Sequence, residues 1–555
     1  MASLDKPTVS YSQFACIGSG FSAIGLGATL KRWYGITDIR FFDRHADLGG
    51  TWHINTYPGC ACDVPSILYS FSFAPNPKWT RVLASSAELW AYLRAVADDY
   101  DLPSKMTFGA DVVRCEWLQA SGRWRLHIRR LADGSLFQHE SQFLFSGTGA
   151  LVKPRHPDMP GIDSFRGPVF HAARWRSDVD LRGKRVALIG NGCTAAQIVP
   201  NIVDQTAHLT QFSRSKHWII PPIDVPSPTT IQWLFKHVPG FMLLVRFIVF
   251  LLCENDLRGF YMSKAGAKYR TGSEARAVRY IRKTAPAKYH DLLIPDFEIG
   301  CKRRIFDPGY LQALHKPNIS LSDNPIAQVL PDAIRTEDGT TTQADVIVLA
   351  NGYATNQFMS GIEVVGRDGV TLEQHWSSFD GPEAYNSCAL NEFPNFFMIL
   401  GPNTATGHTS TVMAAENCIN FALRLIKPIL DGEATTVEVK PGAELQYSQQ
   451  LQRDLSKTVW WGGCHSWYNK GGPDGTRWNA MTYPHSQAHF WYSCLFPTYG
   501  DWKYTPTPDA TRRRFMRRTR KTAWWLGLVV SVVGITLTVR SRGLDWAGEY
   551  LPSTA

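Results

Sequence analysis

The sequence predicts an α/β protein built from two Rossmann-like dinucleotide-binding domains, with a helical insertion and a single transmembrane helix at the C-terminal end. Three observations carry this. Two well-separated segments read as apolar strand, glycine-rich turn and helix. An uncharged apolar run near the C-terminal end follows a block of basic residues. The 555 residues, 44% hydrophobic and 19% charged, suffice for several packed domains and exclude a disordered or collagen-like chain.

The first unit opens with FACIG and turns at Gly18-x-Gly20, with Ser22 and Gly25 in the following helix, then continues into IRFFD ending at Asp43. The glycines permit a tight turn and let a pyrophosphate approach the helix N-terminus, where free N–H groups favour its charge. A carboxylate roughly twenty residues on can accept hydrogen bonds from a ribose, so Asp43 selects an adenosine whose ribose 2′-hydroxyl is unphosphorylated, as in FAD or NAD. The pattern recurs at RVALIG, with Gly190-Asn191-Gly192-Cys193-Thr194-Ala195-Ala196 leading into a helix and the strand HLTQF. At the place of Asp43 stand Arg214 and Ser215. A guanidinium there pairs with a 2′-phosphate and selects NADP over NAD, the alternative being an ordinary surface arginine. Two such units with opposite ribose chemistry describe a protein that passes hydride between two dinucleotides. FLFSGTG (143–149) and VIVLANG (346–352) read as strands on which the chain leaves each unit, their small residues allowing close backbone approach.

These signals divide the chain into a first domain in two parts, 9–155 and 353–505, and a second in two parts, 156–221 and 299–352. Between the parts of the second lies a helical insertion, 222–298. Its apolar run from Phe241 to Cys253 carries only Arg246 and reads as a buried helix, with a membrane-docking face as the alternative. A basic linker, 506–522, precedes the segment 523–539, AWWLGLVVSVVGITLTV. As a helix it would reach about 26 Å at 1.5 Å per residue, enough for a thin bilayer such as that of the endoplasmic reticulum. Trp524 and Trp525 would sit at the interface and the basic block would stay cytosolic, making a single-pass anchor with a cytosolic catalytic body. A terminal helix packed on the body is the other reading.

Seven of the ten net positive charges sit in Arg512, Arg513, Arg514, Arg517, Arg518, Arg520 and Lys521, so the body is close to neutral and nucleic acid is set aside as a partner. The eleven cysteines form no CxxC pair and no zinc-finger spacing, which indicates neither a disulfide scaffold nor a metal site and fits a reduced, cytosolic setting.

Two stretches between the units carry a resemblance. Gly49-Gly50-Thr51-Trp52 through Tyr57-Pro58-Gly59-Cys60-Ala61-Cys62-Asp63 matches GGxWxxxxYPGxxxD, and Phe165-Arg166-Gly167 through His171 and Trp175 matches FxGxxxHxxxW. Both patterns belong to type I Baeyer–Villiger monooxygenases of the flavin-containing monooxygenase superfamily, which the chain resembles in outline from about residue 12 to 505. Arg176 departs from the pattern, which has Pro or Asp there.

The resemblance implies FAD and NADPH as cofactors, and dioxygen and a small ketone as substrates. It places Gly18, Gly20 and Ser22 at the FAD pyrophosphate and Asp43 at its ribose. Thr51, Trp52, Asp63 and Tyr69 surround the flavin, Gly50, Ala61 and Cys62 join the cofactor-binding set, and Val112 makes a backbone contact to adenine. Gly190 through Ala196 hold NADP, Arg214, Ser215 and Lys302 its 2′-phosphate, and Trp467 packs near the nicotinamide. Arg303 becomes the catalytic residue that stabilises negative charge at the reacting oxygens, with Asp63 orienting it, whereas His171 belongs to a domain linker. A lipophilic ketone from a fungal natural-product pathway is the implied substrate. A heteroatom oxygenase, which does not need Arg303, and a silent dinucleotide-binding membrane protein are the alternatives.

Overall fold

The computed structural model describes residues 9–151, 153–462, 464, 468–471, 477–517, 519, 522, 523, 526, 530 and 531. The first unit begins with β1 (Ser10–Ile17), α1 (Phe21–Tyr34) and β2 (Ile39–Phe42). Phe14, Ala15, Cys16 and Ile17 are all buried, as expected of a parallel strand covered on both faces. Gly35, in the left-handed region at φ 67°, ends α1 by donating its N–H to the carbonyl of Lys31. A short helix α2 (Thr51–Ile54) follows, then β3 (Met106–Thr107) and an antiparallel meander of β4 (Ala110–Leu118), β5 (Arg123–Arg130) and β6 (Leu136–Ser146).

The second unit contributes β7 (Val169–His171), β8 (Arg185–Ile189), α3 (Cys193–Ile202) and β9 (His208–Phe212). The insertion follows with α4 (Thr229–His237), α5 (Phe241–Asn255) and α6 (Lys264–Thr284). The chain then returns through β10 (Ile319–Ser322) and β11 (Val346–Leu349) to the first unit, where β12 (Glu363–Val365), β13 (Phe396–Met398) and α7 (Thr411–Leu430) complete it.

The strands assemble into two sheets that position the site. The first has the order β12-β4-β5-β6-β1-β2-β3, with β13 beside the end of β6. Its centre is parallel, β6 and β2 flanking β1. The second is wholly parallel, in the order β10-β9-β8-β11-β7. In both sheets the glycine-rich turn leaves the C-terminal end of the central strand, where ligands bind in open α/β sheets. Gly25 lets α1 pack against Phe71 and α7: a Cβ there would stand 2.9 Å from a ring carbon of Phe71 and 3.1 Å from Ile419.

Three features depart from the sequence reading. The antiparallel meander makes the first sheet mixed, and its Trp124, Leu126 and Ile128 are buried while alternate residues face outward. The apolar helix α5 is not buried, since Met242 alone among its residues is. The basic stretch begins docked on the first unit, with Arg517 ion-paired to Asp431 (2.9 Å) and Glu433 (3.2 Å) and Arg514 to Glu433 (3.3 Å). No single helix among the described residues is long and apolar enough to cross a membrane. The segment 523–539 lies almost wholly outside those residues.

Candidate active site

The two turns share one construction. Gly18 has φ 108°, and a Cβ there would stand 2.5 Å from the carbonyl oxygen of Gly147, just beyond β6. Gly190 has φ 122°, and its Cβ would stand 2.2 Å from the carbonyl oxygen of Ala350, just beyond β11. Both glycines are therefore required by the fold, and both exit strands read from the sequence lie against them. Gly20 and Gly192 differ: each begins a helix with ordinary negative φ, and a Cβ on Gly192 would meet nothing within 4 Å. Among the described residues nothing demands glycine at 192, and the open space beside its bare backbone would admit a dinucleotide pyrophosphate. Cys193 and Thr194 are half-buried, whereas Ala195 and Ala196 are buried.

Asp43 stands at the end of β2, buried, and accepts from the Ser19 hydroxyl (2.6 Å), the His45 backbone N–H (2.9 Å) and the His45 ring (2.8 Å). Burial pushes its carboxyl up, but these hydrogen bonds outweigh it and hold it below the usual range. Ser22 is buried in the first turn of α1. Thr51 and Trp52 lie in α2, whose N-cap Gly50 has φ 54° and lies so close to Gly20 that a Cβ would be 3.1 Å from the Gly20 Cα. Trp52 meets Tyr69 edge to face, with ring centroids 5.5 Å apart. Val112 is buried in β4.

The loop after α2 binds the two units together. Gln197 of α3 accepts from the Tyr57 hydroxyl and donates to the Ala61 carbonyl, both at 2.9 Å. Cys62 is buried, and the next residue, Asp63, meets the second unit. There Arg303 grips Asp63 with two parallel bonds, Nε to Oδ2 and Nη2 to Oδ1, both 2.8 Å, and its Nη1 donates to the Gly407 carbonyl at 3.0 Å. Burial pushes Asp63 up and Arg303 down, but the opposing charge of the partner outweighs it for both, so Asp63 sits low, Arg303 high, and both are ionised. Their side chains remain 33% and 27% exposed, leaving a face of the pair open to a reacting group.

At the end of β9, Asn191 donates to the Ser213 hydroxyl (2.8 Å) and to the Ser215 carbonyl, folding the Arg214 loop against the second turn. Arg214 is exposed and Lys302 buried, and burial together with the nearby Arg214 charge lowers Lys302. Among the described residues neither forms a salt bridge to a carboxylate. Two neighbouring cations, neither of them ion-paired and with Asp296 as the one acid acting on Lys302, fit a phosphate dianion.

A family profile described as flavin-binding monooxygenase-like matches residues 12–235. A Baeyer–Villiger monooxygenase of Streptomyces coelicolor is 36% identical over 473 residues, 84% of this chain and 89% of its own. The chain belongs to this family of flavin-binding Baeyer–Villiger monooxygenases. An FAD-binding monooxygenase, tazF, of Aspergillus terreus is 31% identical over 490 residues, 86% of each chain. Among solved structures, an oxidised steroid monooxygenase bound to NADP is similar with a TM-score of 0.76 at 25% identity, over 90% of this chain and 100% of its own. Membership makes the chain an FAD- and NADPH-dependent monooxygenase.

The linker residues of this monooxygenase hold structural positions. His171 bonds the Gly352 carbonyl through Nε2 (3.1 Å) and accepts from the Ala173 N–H through Nδ1 (3.1 Å), and burial lowers its pKa. Trp175 packs edge to face on Phe170 at 5.2 Å. Arg176, the departure from the family pattern, is exposed and pairs with Asp178. Trp467 lies outside the described residues.

Three features escaped the sequence reading. Cys301 and Cys464 form a disulfide across 163 residues, anchoring the segment that carries Lys302 and Arg303. That corrects the expectation from cysteine spacing, which registers short motifs and is blind to partners so far apart. The Gly407 carbonyl that holds Arg303 has no side-chain signature. His408, beside it, is hydrogen-bonded through Nε2 to Glu254 at the end of α5 (2.8 Å), which ties the insertion to the site.

Proposed function

We propose that the chain inserts one oxygen atom from dioxygen beside the carbonyl of a lipophilic ketone, giving an ester or lactone, and that its substrate comes from a secondary-metabolite pathway. The observation that carries this is the Asp63–Arg303 pair, with a permanently charged guanidinium fixed in plane and partly open.

Bound FAD and NADPH supply hydride transfer and oxygen activation. The turn at Gly18, Gly20 and Ser22 receives the FAD pyrophosphate, with Asp43 at the ribose and Thr51, Trp52 and Tyr69 beside the ring. The turn from Gly190 to Ala196 receives NADP, and Arg214, Ser215 and Lys302 read its 2′-phosphate. Arg303 donates to the negative charge that develops on the attacking oxygen and on the carbonyl oxygen, and Asp63 holds its plane. Because Asp63 occupies Nε and Nη2 and Gly407 occupies Nη1, Arg303 is pre-oriented before substrate arrives.

The competing reading is oxidation at nitrogen or sulfur, which does not require the guanidinium. Arg303→Ala should lower ester formation by about 10²–10³-fold, on the order of 3–4 kcal/mol in the barrier, while FAD stays bound. Unchanged ester formation in that variant would refute the role of Arg303, and turnover of sulfides alone by the unsubstituted protein would favour the competing reading.

We also propose that the segment 523–539 anchors the protein in the endoplasmic reticulum membrane with its catalytic body in the cytosol. Its apolar composition and the preceding basic block support this. Carbonate extraction that frees the full-length protein from membranes would exclude it.

A further inference from the structure

The helix α5 presents an apolar face to solvent. Leu243, Leu244, Phe247, Ile248, Leu251 and Leu252 are each 47–70% exposed and recur at helical spacing on one side. The opposite side is fixed to the first unit, where Arg246 donates to the carbonyls of Ile67 (2.6 Å) and Ser70 (2.9 Å) and to the Ser70 hydroxyl (3.0 Å). Trp233, on α4, adds a further exposed aromatic ring beside it in the chain. A continuous apolar surface of this kind on a folded protein marks an interaction site.

The charges around it select the partner. Between residues 229 and 272 the only acids are Glu254 and Asp256, and both are turned to partners within the protein, Glu254 hydrogen-bonded to His408 (2.8 Å) and to the Gln487 N–H (3.0 Å) and Asp256 ion-paired with Arg304 (2.6 Å). The exposed charges of that stretch, Lys236, Arg258, Lys264 and Lys268, are all positive. We propose that α4 and α5 form a docking face for an anionic lipid surface, with the leucine and phenylalanine side chains entering the acyl region and the lysines meeting headgroups. At 15 residues, about 22 Å, α5 is too short to span a hydrocarbon core of about 30 Å, and Arg246 ties one side of it to protein, so it lies in the interface. A second copy of the chain is a poorer occupant, because symmetric pairing of this face would set its basic rims against each other. The face is one hydrogen bond, Glu254–His408, from the segment whose Gly407 carbonyl holds Arg303, so a bilayer-dissolved substrate would meet the protein beside its site.

The test uses the full-length, FAD-loaded protein carrying an environment-sensitive fluorophore at Leu251→Cys or Leu244→Cys. A control label at Leu136→Cys occupies the far end of β6. Phosphatidylcholine vesicles, with and without phosphatidylserine, should shift the emission of both α5 labels to the blue and expose them to quenching by brominated lipid. The shift should be larger with phosphatidylserine and reduced by Lys264→Glu with Lys268→Glu, and the control label should not respond. Two results overturn the proposal. One is α5 labels that stay water-exposed while the protein floats with vesicles, which assigns binding to the C-terminal segment alone. The other is emission already blue without vesicles, which means that a second copy or the chain's own end covers the face.

Discussion

Lys302 and Arg303 are adjacent in the chain but meet opposite surroundings. Arg303 has a carboxylate and a carbonyl to hold it, whereas Lys302 is buried beside another cation, Arg214, with its Nζ 4.7 Å from the centre of the Phe297 ring. An ammonium lowered by burial and by like charge regains stabilisation when a phosphate arrives. Lys302→Met should therefore raise KM for NADPH about ten- to a hundredfold and leave KM for NADH nearly unchanged, as steady-state kinetics with the two nucleotides would reveal.

A second residue-scale case is His375, buried between Glu383 and Glu444, both 3.3 Å from its Nε2, with Glu392 3.1 Å from its Nδ1. Burial opposes its charge, but the bonds and charges of Glu383 and Glu444 win and push it up to about 10. Burial and the Glu444 charge push Glu383 up to about 8. A free imidazole titrates near ~6.5 and a free glutamate near ~4.3, so the folded state binds both protons more tightly than the unfolded chain does. Their stabilisation is complete at low pH. The glutamate part is lost as pH rises from about 4.3 through 8, and the imidazole part from about 6.5 through 10. The thermal midpoint should fall across that range, and His375→Gln with Glu383→Gln should flatten the fall.

At the scale of elements, the turns show which parts of the fold are legible in sequence. Gly18 and Gly190 could be read because their positive φ and the carbonyls facing them admit no side chain. Alanine at either should destabilise the protein by more than about 1 kcal/mol, measured by denaturant unfolding, whereas Gly192→Ala should spare stability and weaken NADPH binding. The exit strands were legible for a similarly local reason, an apolar run ending in small residues, whereas His171 was placed only by the family resemblance. The helix α5 was misread because a run of leucine, isoleucine and phenylalanine looks the same whether it faces a core or a membrane, and only the inward bonds of Arg246 reveal which side is covered. The meander β4–β6 carries its signal in the alternation of Trp124, Leu126 and Ile128 with polar residues, a period-two pattern that contains no nucleotide turn.

At the scale of the whole molecule, what escaped the sequence is what depends on distant partners. Cys301 and Cys464 are such a case. Thiol titration of the denatured, full-length protein should find nine free cysteines before reduction and eleven after. Cys464→Ser should lower the thermal midpoint, since a link closing so long a loop restrains the unfolded chain by up to about 4–5 kcal/mol. Asp63 and Arg303 are another case: each was legible through its own motif, but their bidentate grip arises only when the two sheets are docked.

That grip makes the two units inheritable only together. In a chimera whose first unit comes from one relative and whose second comes from another, Asp63 and Arg303 derive from different parents, as do Tyr57 and Gln197. Such a protein could fold each sheet around its own core and bind each dinucleotide at its own turn, yet bring the guanidinium to the wrong place. Recombination among relatives should therefore tolerate crossovers inside a unit's surface loops better than crossovers that part these two pairs, and the reactivity of a recombinant library should divide along that line.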